Sequence, residues 1–185
     1  MNYSEGRHAI FLDRDGVINR AEVREGKPYP PNSLAAMEIL PGVSEALKEL
    51  RKAGFLLIGV TNQPDVARGT QKKEVVESIN AALLSKLELD EIFVCYHDSA
   101  DKCACRKPKP GLIMSAATKY KINVSRSYMV GDRWRDVEAG KAAGCATIWL
   151  NQDYNEKAPV DPDFIAGTLL ESVPWILSRI RRNHD

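Results

Sequence analysis

The chain has 185 residues, 44% of them apolar and 28% charged, with a net charge of +1. That length allows one sizeable core and falls short of two ordinary domains, and the near-zero charge excludes a bulk electrostatic case for nucleic acid or an anionic membrane. The longest apolar run, residues 55–60, is too short for a bilayer and the first eight residues lack a signal-peptide core, so a cytoplasmic, non-membrane protein is expected.

Residues 9–12 are a short apolar run that reads as a buried strand, and they deliver Asp13-Arg14-Asp15-Gly16. On extended backbone residues i and i+2 point the same way, so Asp13 and Asp15 would face one site while Arg14 alternates away. Two close carboxylates need a cation or a retained proton. Phosphoryl chemistry supplies both, with Mg2+ between carboxylate and phosphate and an acid for the leaving oxygen. Taken alone, the stretch also fits a turn with solvated acids.

Residues 20–33 are polar and rich in Pro, with Glu25-Gly26 as a turn, and predict a small hairpin flap. Val43, Ala46, Leu47 and Leu50 mark one face of a helix that stops at Gly54. A strand over residues 55–60 delivers Thr61-Asn62-Gln63. Val75, Val76, Ile79, Leu83 and Leu87 mark the next helix, with Thr70 as its cap. A strand over 91–95 precedes a Cys/His loop and Arg106-Lys107-Pro108-Lys109-Pro110-Gly111. Pro110 suits a helix start, continued by Leu112, Ile113, Ala116 and Tyr120.

A strand over 127–130 leads into Gly131-Asp132-Arg133-Trp134-Arg135-Asp136. A helix from about 135 to 143 ends at Gly144, and a strand follows over 145–150. Residues 164–166 read as an edge strand. Thr168 and Glu171 have capping-box spacing for a last helix, which Pro174 must enter near its start or kink. Arg179, Arg181 and Arg182 read as its solvated, dipole-matched last turn. Trp134 reads as packing or the lip of a pocket, Cys145 as core, and His8 and His184 as belonging to no constellation.

Strands alternating with helices imply βαβ units and a mainly parallel sheet, which binds ligands at the carboxyl ends of its strands. Asp13 and Asp15, Thr61, Lys107 and Asp132 all follow such strands and would converge on one edge. Separately, Cys95-x-His97 and Cys103-x-Cys105 form two i, i+2 pairs that, facing each other, could make a closed tetrahedral Zn2+ site of structural type. Three of the 4 cysteines crowd into this loop of a chain without an export signal, which disfavours a disulfide; reduced cysteines with a surface histidine are the bland alternative.

In this order the motifs resemble the haloacid dehalogenase-like (HAD) phosphatases: Asp13-Arg14-Asp15-Gly16-Val17, Thr61-Asn62-Gln63, Lys107, and Gly131-Asp132 with Asp136. The Zn2+ loop followed by Arg106-Lys107-Pro108 resembles two branches of that superfamily, the heptose 1,7-bisphosphate and the histidinol-phosphate phosphatases. Ala67-Arg68-Gly69 and Lys109-Pro110-Gly111 look more like the heptose branch. The short gap from His97 to Cys103 is as in the histidinol branch, and Pro64-Asp65 departs from the Ser-Gly more familiar after Thr-Asn-Gln.

The resemblance implies a single α/β domain over 1–185. It would be a HAD-like Rossmannoid three-layer sandwich with a small flap (about 20–33), a zinc loop (about 95–107) and no large cap domain. It implies a Mg2+-dependent phosphatase that acts as a monomer on a sugar bisphosphate, at the C7 phosphate of a heptose 1,7-bisphosphate, with histidinol phosphate or another small phosphomonoester as the alternative substrate. Asp13 would attack phosphorus, and Asp15, its pKa raised by acidic neighbours or burial, would act as acid and then base. Thr61 and Lys107 would hold phosphoryl oxygens, and Asn62 and Arg106 would recognise substrate. Asp13, the Asp15 carbonyl and Asp132 would ligate Mg2+, with Asp136 orienting a metal-bound water or Lys107. Cys95, His97, Cys103 and Cys105 would hold Zn2+. A zinc-stabilised binding module on the same fold is the competing reading, and the complete set of expected catalytic positions weighs against it.

Overall fold

The computed structural model describes residues 6–182. His184 and the side chains of Arg181 and Arg182 lie outside what is described. The elements in chain order are β1 (Ala9–Leu12), β2 (Glu22–Arg24), β3 (Lys27–Tyr29), α1 (Val43–Lys52), β4 (Leu56–Asn62), α2 (Lys73–Lys86) and β5 (Glu91–Cys95). There follow α3 (Gly111–Tyr120), β6 (Tyr128–Gly131), α4 (Trp134–Ala143), β7 (Ala146–Leu150), β8 (Phe164–Ala166) and α5 (Leu169–Arg182).

Six strands form one sheet in the order β5-β4-β1-β6-β7-β8, and every neighbouring pair is parallel. β1 is central and buried on both faces, which is why it reads as an unbroken apolar run. Its Ile10 and Leu12 join one apolar cluster with side chains of α1, α2 and α5. Its Ala9 and Phe11 join another with α3 and α4. The period-2 alternation of a strand thus divides the core into the two outer layers of a sandwich.

α1 shows how firmly one helix face is held. Val43, Ala46, Leu47 and Leu50 are at most 1% exposed and share one stripe. Truncating Leu47 to Ala there would cost about 2–5 kcal/mol.

From β1 the chain steps one way to β4 and β5, and later the other way to β6, β7 and β8. The junction of β1 and β6 is therefore the topological switch point, where a parallel sheet opens a crevice at its carboxyl edge. Asp13 and Asp132 are the residues that leave these two adjacent strands, and Asp13 N–H donates to the Val130 carbonyl at 2.9 Å.

β2 and β3 pair antiparallel across Glu25 and Gly26, both at positive φ, the backbone of a tight hairpin turn. The loop after β7 docks on this tip, with Asn155 N–H donating to the Gly26 carbonyl at 2.8 Å.

Some expectations need correction. β4 runs two residues further than its apolar run, because Thr61 and Asn62 pair with Val94 and Cys95. Thr70 does not cap α2: its hydroxyl donates to the Asp65 carbonyl, and Lys72 is the cap residue. Thr168 and Glu171 do close the start of α5, although Glu171 reaches Gly167 N–H. Pro174 sits inside that helix. Arg179 is not merely solvated, since its guanidinium lies 4.8 Å over the Trp175 ring. His8 packs against Phe55, and Cys145 lies in the second cluster.

Candidate active site

Asp13 after β1 and Asp132 and Asp136 at the β6–α4 junction each place a carboxylate oxygen within 4.8 Å of the others, all three buried. Gly16 and Gly131 make this approach possible. A Cβ on Gly16, itself at φ 90°, would lie 1.9 Å from Asp132 Oδ2, and one on Gly131 would lie 2.0 Å from Asp136 Cβ.

Lys107 reaches into the group from the Cys/His loop. Its Nζ donates to Asp13 Oδ1 at 2.8 Å, Asp136 Oδ1 at 2.7 Å and the Val60 carbonyl at 2.7 Å, so all three protons are engaged. Burial alone would push the ammonium pKa down, but the charges of Asp13 and Asp136 outweigh it and hold it above its ordinary value.

One ammonium cannot balance three buried carboxylates. Burial first, then Asp136, raises Asp13 to about 6, against the lowering pull of Lys107. Burial, Asp13 and Asp136 together raise Asp132 well above the carboxylate range. Both Asp132 oxygens are buried and lack a hydrogen bond of ordinary geometry; the Tyr154 hydroxyl is the donor beside them, and its pull on the carboxylate is weaker than the effect of burial. Hard carboxylate oxygens, buried and short of donors beside a second carboxylate, fit a divalent cation of the Mg2+ type, which would hold them ionised.

Asp15 does not join this group. Its carboxylate accepts from Arg14 Nε at 3.1 Å, Arg14 Nη2 at 3.0 Å, Asn19 Nδ2 at 2.9 Å and Gln63 Nε2 at 2.7 Å. Arg14, with no measurable exposure, also bonds Asn80 of α2 at 2.9 Å. Asp13 and Asp15 still line one cavity, but Arg14 folds back onto Asp15 instead of pointing away, because the strand ends at Leu12. Beyond it the Arg14 carbonyl accepts from Val17, Ile18 and Asn19, and a turn has no period of two.

Arg14, Asn19 and Gln63 are thus residues that strand spacing missed. Tyr154 carried no sequence signal. Asn62 lines the cavity, and its amide also bonds the Lys107 backbone twice, at 3.0 and 3.1 Å, so it fixes that loop. Thr61 is 1% exposed, accepts from Gln63 Nε2 and lines the same cavity.

The Cys/His loop closes on itself. Sγ of Cys95 lies 3.7 Å from that of Cys103 and 3.2 Å from that of Cys105, and Cys103 and Cys105 are 3.4 Å apart. His97 Nδ1 is 3.7 Å from Cys95 Sγ and 3.2 Å from Cys105 Sγ. All four cysteines of the chain are free thiols. These spacings approach the edges of a tetrahedron whose centre lies ~2.3 Å from each sulfur, the Zn–S distance. The loop bears directly on the cavity, since Arg106 Nη1 donates to the His97 carbonyl at 3.3 Å and Lys109 Nζ to the carbonyls of Lys102 and Cys103.

The cavity over these groups measures about 240 Å³ and is bounded by Asp13, Asp15, Thr61, the flap residues Lys27 to Pro30, and a ring of arginines. Arg68 is paired with Asp65 and Asp98, and Arg133 with Glu156. Trp134 does not line this cavity; its ring packs between Arg135 and Lys157, 4.7 and 3.6 Å from its centre. Burial, then Arg133 and Arg106, pushes the Arg135 pKa down.

Comparison with known proteins gives the family. A family described as haloacid dehalogenase-like hydrolase matches residues 20–144. A D-glycero-beta-D-manno-heptose-1,7-bisphosphate 7-phosphatase of Salmonella typhi is 38% identical, aligning 94% of this chain with 95% of its own. The Helicobacter pylori protein of the same name is 39% identical, over 91% of this chain and 96% of its own. A crystal structure of a D,D-heptose 1,7-bisphosphate phosphatase from B. bronchiseptica, complexed with magnesium and phosphate, superposes with a TM-score of 0.77. It is 30% identical and covers 93% of this chain and 99% of its own. Among the described residues no helix is long and apolar enough to cross a membrane.

Proposed function

Because this chain belongs to the haloacid dehalogenase-like hydrolase family, we propose that its site removes the C7 phosphate of D-glycero-D-manno-heptose 1,7-bisphosphate through an aspartyl phosphate on Asp13. The chain is a phosphoric monoester hydrolase. The observation that carries the assignment is the meeting of Asp13, Asp132, Asp136 and Lys107 at the sheet's switch point.

Asp13 attacks phosphorus with one carboxylate oxygen as the bond to the sugar oxygen breaks. The sugar oxygen takes the proton of Asp15. Water then attacks the acyl phosphate and gives its proton to Asp15, which returns Asp13 and the acid to their starting forms. Arg14, Asn19 and Gln63 hold Asp15 at the cavity edge between these roles. The Thr61 hydroxyl and the charge of Lys107 stabilise the phosphoryl oxygens, and Asp136 keeps Lys107 in place. Asp13, the Asp15 carbonyl and Asp132 are the residues that would hold Mg2+, which when bound neutralises charge on the phosphoryl group. Cys95, His97, Cys103 and Cys105 would hold a structural Zn2+ that fixes the loop bearing Arg106 and Lys107. Arg106 offers a fork for substrate oxygens.

The test is phosphate release with Mg2+, with and without EDTA, from the heptose bisphosphate and from histidinol phosphate. The expected result is EDTA-sensitive release from the heptose ester that Asp13→Asn abolishes. Equal release by wild type and Asp13→Asn would remove the assignment of Asp13, and preference for histidinol phosphate would remove the substrate.

A further inference from the structure

We propose that Arg135, at the start of α4, forms with Arg106 the seat for the second, non-reacting phosphate of the substrate. This rests on the bisphosphate reading above. Most of the cations around the cavity already have carboxylate partners: Lys107 has Asp13 and Asp136, Arg68 has Asp65 and Asp98, and Arg133 has Glu156. Lys27, on the flap, is exposed, and water compensates its charge.

Arg106 and Arg135 differ. Both are half-buried and line both the main cavity and an adjoining hollow of about 190 Å³. The hydrogen bond of Arg106 is to the His97 carbonyl, which carries no charge. Arg135 forms no ion pair among the described residues, and its Nε is buried without a hydrogen-bond partner. Its guanidinium stacks 4.7 Å from the Trp134 ring centre, which holds the planar fork in one orientation. The charges of Arg133 and Arg106 act on it repulsively and outweigh the attraction of Glu156 and Asp136, neither of which pairs with it directly.

Two partly buried like charges, one with an unpaired buried N–H, are stabilised by an anion that joins them. A phosphate dianion accepts from two guanidinium forks at once. The seat lies against Lys107, which borders both cavities, so it adjoins the reacting centre without using its groups.

The experiment compares kcat/KM on heptose 1,7-bisphosphate and on heptose 7-phosphate for wild type, Arg135→Ala and Arg135→Lys, with each variant's thermal midpoint as a check on folding. The alanine variant is expected to lose about 10- to 100-fold more on the bisphosphate than on the monophosphate, chiefly through KM, the range for charge-assisted hydrogen bonds. The lysine variant should recover part of that difference, since it keeps the charge and loses the fork. Equal losses on both substrates, with wild type active on both, would overturn the seat and leave the phosphatase assignment standing. A wild type inactive on both heptose esters would overturn the substrate and the seat together.

Discussion

Lys107 and Asp136 form a buried ion pair, Nζ to Oδ1 2.7 Å, each 2% exposed. The pair acts beyond its own bond because Lys107 is also the cation touching Asp13. Removing one partner of such a pair strands the other charge, at about 3–5 kcal/mol. Lys107→Ala should therefore lower the thermal midpoint as well as turnover. Its kcat is expected to fall about 100-fold or more with a smaller change in KM, because the charge acts on the transition state. Steady-state kinetics check this, and a mainly raised KM would demote Lys107 to ground-state binding.

The four donors on Asp15 predict a dependence on the leaving group. Gln63→Ala should slow hydrolysis of a sugar phosphate about 10-fold and of p-nitrophenyl phosphate much less, since nitrophenolate departs without a proton. Equal slowing of both would mean that Gln63 acts elsewhere than through Asp15.

The raised carboxyls predict how Mg2+ affects stability. Burial, then Asp136, lifts Asp13 from 3.8 to about 6. A pKa raised on folding favours the folded state in full below the unfolded value, and that contribution is lost as pH climbs through the folded one. The metal-free chain should thus lose stability between about pH 4 and 6 on account of Asp13, with Asp132 acting in the same direction. Mg2+ requires ionised ligands and should raise the melting temperature more at pH 7 than at pH 5. A thermal-shift series with Mg2+ at the two pH values checks this; equal shifts would count against carboxylate ligation.

For the Cys/His loop, elemental analysis should find about one zinc per chain. Cys105→Ser should lower zinc content and kcat together, because Arg106 and Lys107 directly follow the cluster. Full activity in zinc-free protein would remove the structural role.

Gly16→Ala tests the closeness of the two strand ends. A methyl group there would collide with Asp132 Oδ2 and sit at a backbone φ of 90°. Activity should fall at least about 10-fold while the variant still folds, and Mg2+ should no longer raise its melting temperature. An unchanged Mg2+ shift would mean that Asp132 is not a ligand.

The linear chain determined much of this molecule. Apolar runs and helical spacing located the sheet strands to within two residues, as at β4, because burial imposes those periods locally. The paired Cys/His spacing and the acids after β1 and β6 marked both candidate metal positions before any distance was known. What only the tertiary structure decided lies where the chain leaves regular backbone. Arg14 turns onto Asp15 instead of away from it, and Asn62 spends its amide on the Lys107 backbone. Arg135 keeps a buried Nε without a partner, and Tyr154 arrives beside Asp132 from a distant loop. A side chain's direction follows from periodicity only while its strand or helix continues, and whether a charge is paired depends on neighbours that sequence distance does not reveal.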